Sequence, residues 1–146
     1  MNKPEPSRIS IDDVVRLMNK RRFLVRPSYQ RKEVINLKKA SSIIESILLG
    51  IALPAIFIFK REDGTSEVID GQQRLLTLLG FIGSEYIDEK GKSQSSKNYK
   101  FSLRGLKILN ELNGEKFDKL DGDLQNKIFD FPLYIVEIDQ QSNPQF

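Results

Sequence analysis

Apolar residues along this chain recur at two spacings, and the spacing changes several times. Leu37, Ala40, Ile44, Ile47 and Leu48 recur at helical intervals and Gly50 follows them, which predicts a helix over 34–49. Val14, Val15, Leu17 and Met18 predict a shorter helix, capped by Ser10 or Asp12. Residues 22–25 read as a short strand stopped by Pro27, with a loop at Ser28-Tyr29-Gln30-Arg31. The unbroken apolar run 55–59 after Pro54 predicts a buried strand. Asp63-Gly64 then turns the chain into a second strand at 66–69. A very apolar helix starts near Gly71 and buries Leu75, Leu76, Leu78, Leu79 and Ile82. Residues 83–100 are polar and poor in core formers, so they read as a mobile loop. Beyond them the pattern predicts a strand at 101–103 and a short helix through Leu106, Ile108, Leu109 and Leu112. A turn at Asn113-Gly114, a helix over 117–128 and a closing strand over 131–138 follow.

Strands and helices interspersed in this way predict an α+β fold, a small mixed sheet flanked by helices. A length of 146 residues suits a single domain over 1–146, with 1–7 as a flexible tail.

The stretch Ile69-Asp70-Gly71-Gln72-Gln73-Arg74-Leu75 carries the most chemistry. Polar and small residues lie between a strand and a buried helix, so the helix N-terminus faces outward from a sheet end. Its free N–H groups and positive dipole end favour an anion, Gly71 permits close approach, and Arg74 adds a forked donor. The same residues also read as a capping box, with Asp70 as N-cap and Gln73 three positions on.

Composition narrows the chemistry. The chain has no cysteine and no histidine, which excludes disulfides, thiolate nucleophiles, Ser-His-Asp triads and His-metal nuclease sites. Carboxylates, amides, Arg, Lys, Tyr and a carboxylate-held Mg²⁺ remain. No stretch approaches a membrane span, and the N-terminus lacks an apolar signal region, so a cytoplasmic protein is expected. Residues 1–40 hold 11 Lys+Arg against 4 Asp+Glu, a net of +7, whereas the rest of the chain is net negative. That asymmetry suggests a polyanion partner, with Arg21, Arg22, Arg26 and Lys39 as DNA-contact candidates. A solvated basic face is the plainer reading of the same charges.

Several segments then line up in order: Pro27-Ser28-Tyr29-Gln30-Arg31, Ser41 to Gly50, Leu53-Pro54-Ala55-Ile56, and Val68-Ile69-Asp70-Gly71-Gln72-Gln73-Arg74-Leu75. With Leu109 to Phe117 and Leu133-Tyr134-Ile135-Val136, they resemble the N-terminal domain of GmrSD-type restriction endonucleases over nearly the whole chain. The resemblance implies a ParB/sulfiredoxin-like fold, in which a Gly-and-Arg turn at a helix N-terminus binds nucleotide phosphates. It also implies a role in DNA restriction or phage defence. Two departures stand out: Val34-Ile35-Asn36 replaces an aromatic segment containing Trp, and a helix with an Arg-Asn pair that follows the last strand in the family is missing. The resemblance therefore implies a domain cut short at its C-terminal end.

The reaction so implied is Mg²⁺-dependent hydrolysis of a nucleoside triphosphate. Asp70, Gln72, Gln73 and Arg74 are its catalytic candidates, and Gly71, Arg74, Arg31 and Gln30 the phosphate-binding ones. Asp70 is the weak metal-ligand candidate, and Gln72 or Gln73 would orient water. Tyr29 is a candidate for base contact or for core packing, and Arg31 for phosphate contact or an ion pair with Glu33, Glu45 or Asp70. Nucleotide, DNA and a nuclease domain or subunit outside this chain are the expected partners, because no nuclease site is visible here. The alternative is a non-catalytic DNA-binding or regulatory module on the same fold.

Overall fold

Two strands form the centre of the molecule, because their apolar residues alternate. In β3 (Ile56–Lys60) the buried residues are Ile56 and Ile58, and in β7 (Pro132–Ile138) they are Leu133 and Ile135. The computed structural model describes residues 7–25 and 35–138. Around this pair a five-stranded mixed sheet runs in the order β1–β7–β3–β4–β2, with β1 at Ser7–Ser10, β2 at Phe23–Leu24 and β4 at Ser66–Asp70. β1 is antiparallel to β7, β7 parallel to β3, β3 antiparallel to β4, and β4 parallel to β2. The helices are α1 (Ile11–Asn19), α2 (Leu37–Leu48), α3 (Gln72–Ile82) and α4 (Gly122–Asp130). The expected α+β class, a mixed sheet flanked by helices, is what the structure contains.

Local chemistry sets the helix boundaries. Ser10 caps α1 by accepting from Asp13 N–H, Asn36 caps α2 through Lys39 N–H, and Asp121 caps α4 through Leu124 N–H. The Asn36 cap is why α2 begins at Leu37 rather than at 34. Ile11, Val14, Met18, Ala40, Ile44, Ile47, Leu75, Leu78 and Leu79 join one continuous core.

The observed elements differ from the expected ones in several places. The tail 1–7 gives up Ser7 to β1, and residues 1–6 lie outside the described residues. The 83–100 segment is not without structure: it holds the hairpin β5 (Tyr86–Ile87) and β6 (Ser93–Gln94). Asp88, only 4% exposed, organises it by accepting from Lys90 N–H, Lys92 N–H and Gln94 Nε2. Residues 101–103 form no strand, although Phe101 and Leu103 are buried. The helix expected through 106–112 is a single 3-10 turn at Asn110–Leu112. Here the chain is held by side chains instead: Ser41 Oγ accepts from Arg104 N–H, and the Glu45 carboxylate from Ile108 and Leu109 N–H. The helix expected at 117–128 is divided into a 3-10 turn, Phe117–Lys119, and α4.

Candidate functional site

The Asp70–Arg74 segment is the junction between β4 and α3. Pairing between β3 and β4 shifts register there: Ile58 faces Val68 but Phe57 faces Asp70, leaving Ile69 as an extra residue. Such a bulge bends the strand and re-aims the side chains at its end. Asp70 is the exposed last residue of β4.

Asp70 is not the helix cap. The N-cap of α3 is Gly71, at φ +101°, with no side-chain hydrogen bond to the helix N–H groups. The capping-box reading of Asp70 and Gln73 is therefore corrected, because the bulge carries Asp70 into the strand and moves the helix start one residue on. Among the described residues, α3 is the one α-helix whose first turn lacks a side-chain cap. Its leading N–H groups keep their capacity for an outside acceptor.

Gly71 is required by packing as well as by its backbone angle. A Cβ there would stand 2.4 Å from Ile56 Cδ1 and 3.2 Å from Arg74 Nη2. The group that approaches Gly71 so closely is thus the start of β3. Arg74 is half-buried against the same place: Nη1 donates to the Pro54 carbonyl and Nη2 to the Ala55 carbonyl at 3.3 Å. Burial pulls the guanidinium below its ordinary pKa, and the charge of Asp70 opposes that shift. Two of the five guanidinium N–H groups are used on these carbonyls.

The two glutamines separate. Gln72 is 7% exposed and turns inward, its Nε2 donating to the Val68 carbonyl at 3.2 Å. Its Oε1 is buried with no hydrogen-bond partner. Gln73 is half-exposed at the helix start. The structure thus gathers Asp70, Gly71, Gln73 and Arg74 at one sheet end and places Gln72 beneath them.

Other candidates lie elsewhere. Arg26, Tyr29, Gln30 and Arg31 fall outside the described residues. β2 runs parallel to β4, with Phe23 beside Ser66 and Leu24 beside Glu67. Arg21 and Arg22 sit at the end opposite Asp70, where Arg22 carbonyl accepts from Ser66 N–H at 2.7 Å. Lys39 is exposed in the first turn of α2. Sequence reasoning missed the structural role of Pro54 and Ala55, whose carbonyls hold Arg74. The signal was present as Leu53-Pro54-Ala55-Ile56, but no spacing rule connects a carbonyl to a guanidinium 20 residues on.

A magnesium ion carried by a nucleotide needs only one or two protein carboxylates besides phosphate oxygens and water. Asp70 supplies one, exposed and beside an uncapped helix start, so the donor set fits a nucleotide-borne ion. It does not form a protein cage: no three acidic side chains gather among the described residues.

An α+β domain that presents a Gly-Gln-Gln-Arg helix start at its sheet end is now defined. Residues 13–143 match the model of the family described as GmrSD restriction endonuclease, N-terminal domain, and the chain belongs to that family. No curated protein and no solved structure matches it. The domain is one of a restriction system. Among the described residues, no helix is long and apolar enough to cross a membrane.

Proposed function

We propose that the domain binds a nucleoside triphosphate at the β4–α3 junction and hydrolyses it, with DNA cleavage left to a nuclease domain or subunit other than this one. The observation that carries the reading is the uncapped N-terminus of α3, open to an acceptor, where the other α-helices are closed by Ser10, Asn36 and Asp121. The domain that carries this helix start belongs to a family of restriction endonuclease domains. Supporting the reading are the half-buried Arg74, held on the Pro54 and Ala55 carbonyls, and the exposed Asp70 beside it.

The leading N–H groups of α3 hold phosphate oxygens, and the helix dipole adds to their attraction. Arg74 neutralises charge that builds on the transferred phosphoryl group. Gln73, at the helix start and half-exposed, orients the attacking water through its amide, a task that needs no strong base. Asp70 would hold Mg²⁺, which would screen the phosphate charge when bound. Gln72 fixes the junction by tying the helix start to Val68. Arg31, Gln30 and Tyr29 join this site in the proposal as a second phosphate-binding arm and a base contact.

Titration calorimetry with ATP, GTP, CTP and UTP, each with Mg²⁺, tests this. At least one should bind. Arg74→Lys, which keeps the charge but loses the fork, should cost about 1.5–3 kcal/mol, roughly ten- to a hundred-fold in affinity. Asp70→Asn should retain nucleotide binding and lose metal-dependent turnover. Absence of binding by all four nucleotides to folded protein, or full turnover by Asp70→Asn, would overturn the reading.

A further inference from the structure

The sheet has a second end, and it collects positive charge from three separate turns. α1 closes with Arg22 N–H on the Leu17 carbonyl at 2.8 Å and Arg21 N–H on the Met18 carbonyl at 3.3 Å. This is a Schellman closure, and its left-handed position is the one that favours glycine. Here it is held by Arg21, at φ +60°. An arginine therefore occupies a conformation that L side chains rarely adopt, and the turn itself does not call for its side chain. That side chain reaches over the β5–β6 turn, its Nη1 3.6 Å from where a Cβ on Gly91 would stand. Arg22 reaches the other way, its Nη1 3.9 Å from the corresponding point on Gly64 in the β3–β4 turn.

The two turns bring their own cations. Lys90 and Lys92 flank Gly91, and the hairpin that presents them is braced by Asp88, whose carboxylate accepts from both of their N–H groups. Lys60 ends β3 beside the other turn. Lys20, Arg21, Arg22, Lys60, Lys90 and Lys92 are all exposed. Arg61 is not part of the set, because it forks onto the buried Glu67. Of the acids in these turns, Asp88 is buried and Asp63 folds back onto Thr65. Glu62 and Glu89 remain at the surface.

We propose that the α1–β2, β3–β4 and β5–β6 turns together form a docking face for the phosphate backbone of duplex DNA. The face is separate from the nucleotide site at the other end of the sheet. Cations spread over three turns fit a chain of phosphates better than a single anion, and they provide position without reading sequence. In a domain of restriction systems, that chain is DNA. This role is independent of nucleotide hydrolysis.

Fluorescence anisotropy of a labelled duplex tests it, across a salt series. Arg21→Gly places the residue that the backbone prefers, so its melting temperature should equal or exceed that of the parent while affinity falls. Arg21→Gly with Lys90→Gln and Lys92→Gln should bind at least about ten-fold more weakly at 0.1 M salt. Its slope of log K against log salt should flatten by about 0.9 for each phosphate that is no longer neutralised. Lys116→Gln with Lys127→Gln removes two exposed charges outside the turns and should change little. Unchanged binding by the triple variant, or equal weakening by the control pair, would overturn the proposal. So would preference for phosphatidylglycerol vesicles over duplex at the same salt, which would reassign the face to a membrane surface.

Discussion

Gly71 has two neighbours that a side chain would displace, Ile56 from across the sheet and Arg74 from its own helix. Its role as a place of close approach was legible from the sequence, since a glycine between strand and helix predicts one. What approaches it was not legible, because Ile56 comes from an adjacent strand and local spacing does not reveal strand pairing. Arg74 follows the same logic: its donor capacity could be read, whereas its use on the Pro54 and Ala55 carbonyls depends on how β3 enters the sheet. Gly71→Ala combines a positive-φ alanine with a contact of 2.4 Å against Ile56. The expected cost is about 2–4 kcal/mol, a fall of roughly 4–12 °C in melting temperature. Thermal unfolding followed by circular dichroism checks this, and a shift below about 1 °C would mean that the junction yields freely.

Elements with an apolar period were legible, and those held by polar groups were not. α1, α2 and α3 lie close to where their spacing placed them: α1 and α2 each bury a stripe of residues at helical spacing, and α3 is buried on nearly every side from Leu75 to Phe81. The β5–β6 hairpin has no such stripe. Its organiser is the Asp88 carboxylate, and a single buried acid in a polar stretch has no periodicity to read. The backbone N–H of Lys92, the Gln94 amide and the backbone N–H of Lys90 outweigh burial and hold Asp88 below its ordinary pKa. A group whose pKa is depressed by folding contributes stability above its unfolded value, about 3.9, and loses that contribution as pH falls through the folded value. Amide hydrogen exchange of residues 86–94 should therefore be slow at neutral pH and accelerate, relative to intrinsic rates, in acid. Asp88→Asn should exchange faster at neutral pH and show a flatter pH dependence. An identical pH profile in the two proteins would show that Asp88 does not brace the hairpin.

At the scale of the molecule, the sheet separates the proposed nucleotide site from the proposed DNA-docking turns. The charge asymmetry of the first 40 residues announced a basic region, but only β2–β4 pairing shows that Arg21 and Arg22 stand at the end opposite Asp70. β3 links the two ends, and its five residues rise roughly 16 Å. Screening in about 0.15 M salt extends over roughly 8 Å, so a triphosphate bound at α3 should be electrostatically almost invisible to DNA on the distant turns. A saturating non-hydrolysable triphosphate with Mg²⁺ is accordingly expected to change the duplex Kd by less than about two-fold at that salt. At about 0.01 M salt the screening length grows to roughly 30 Å, and the bound negative charge should then weaken duplex binding measurably. Anisotropy titrations at both salts, with and without nucleotide, read this directly. Displacement of duplex in proportion to nucleotide at 0.15 M would instead put both ligands on the start of α3. Arg74→Lys would then weaken duplex and nucleotide binding together, whereas two separate regions require it to weaken nucleotide binding alone.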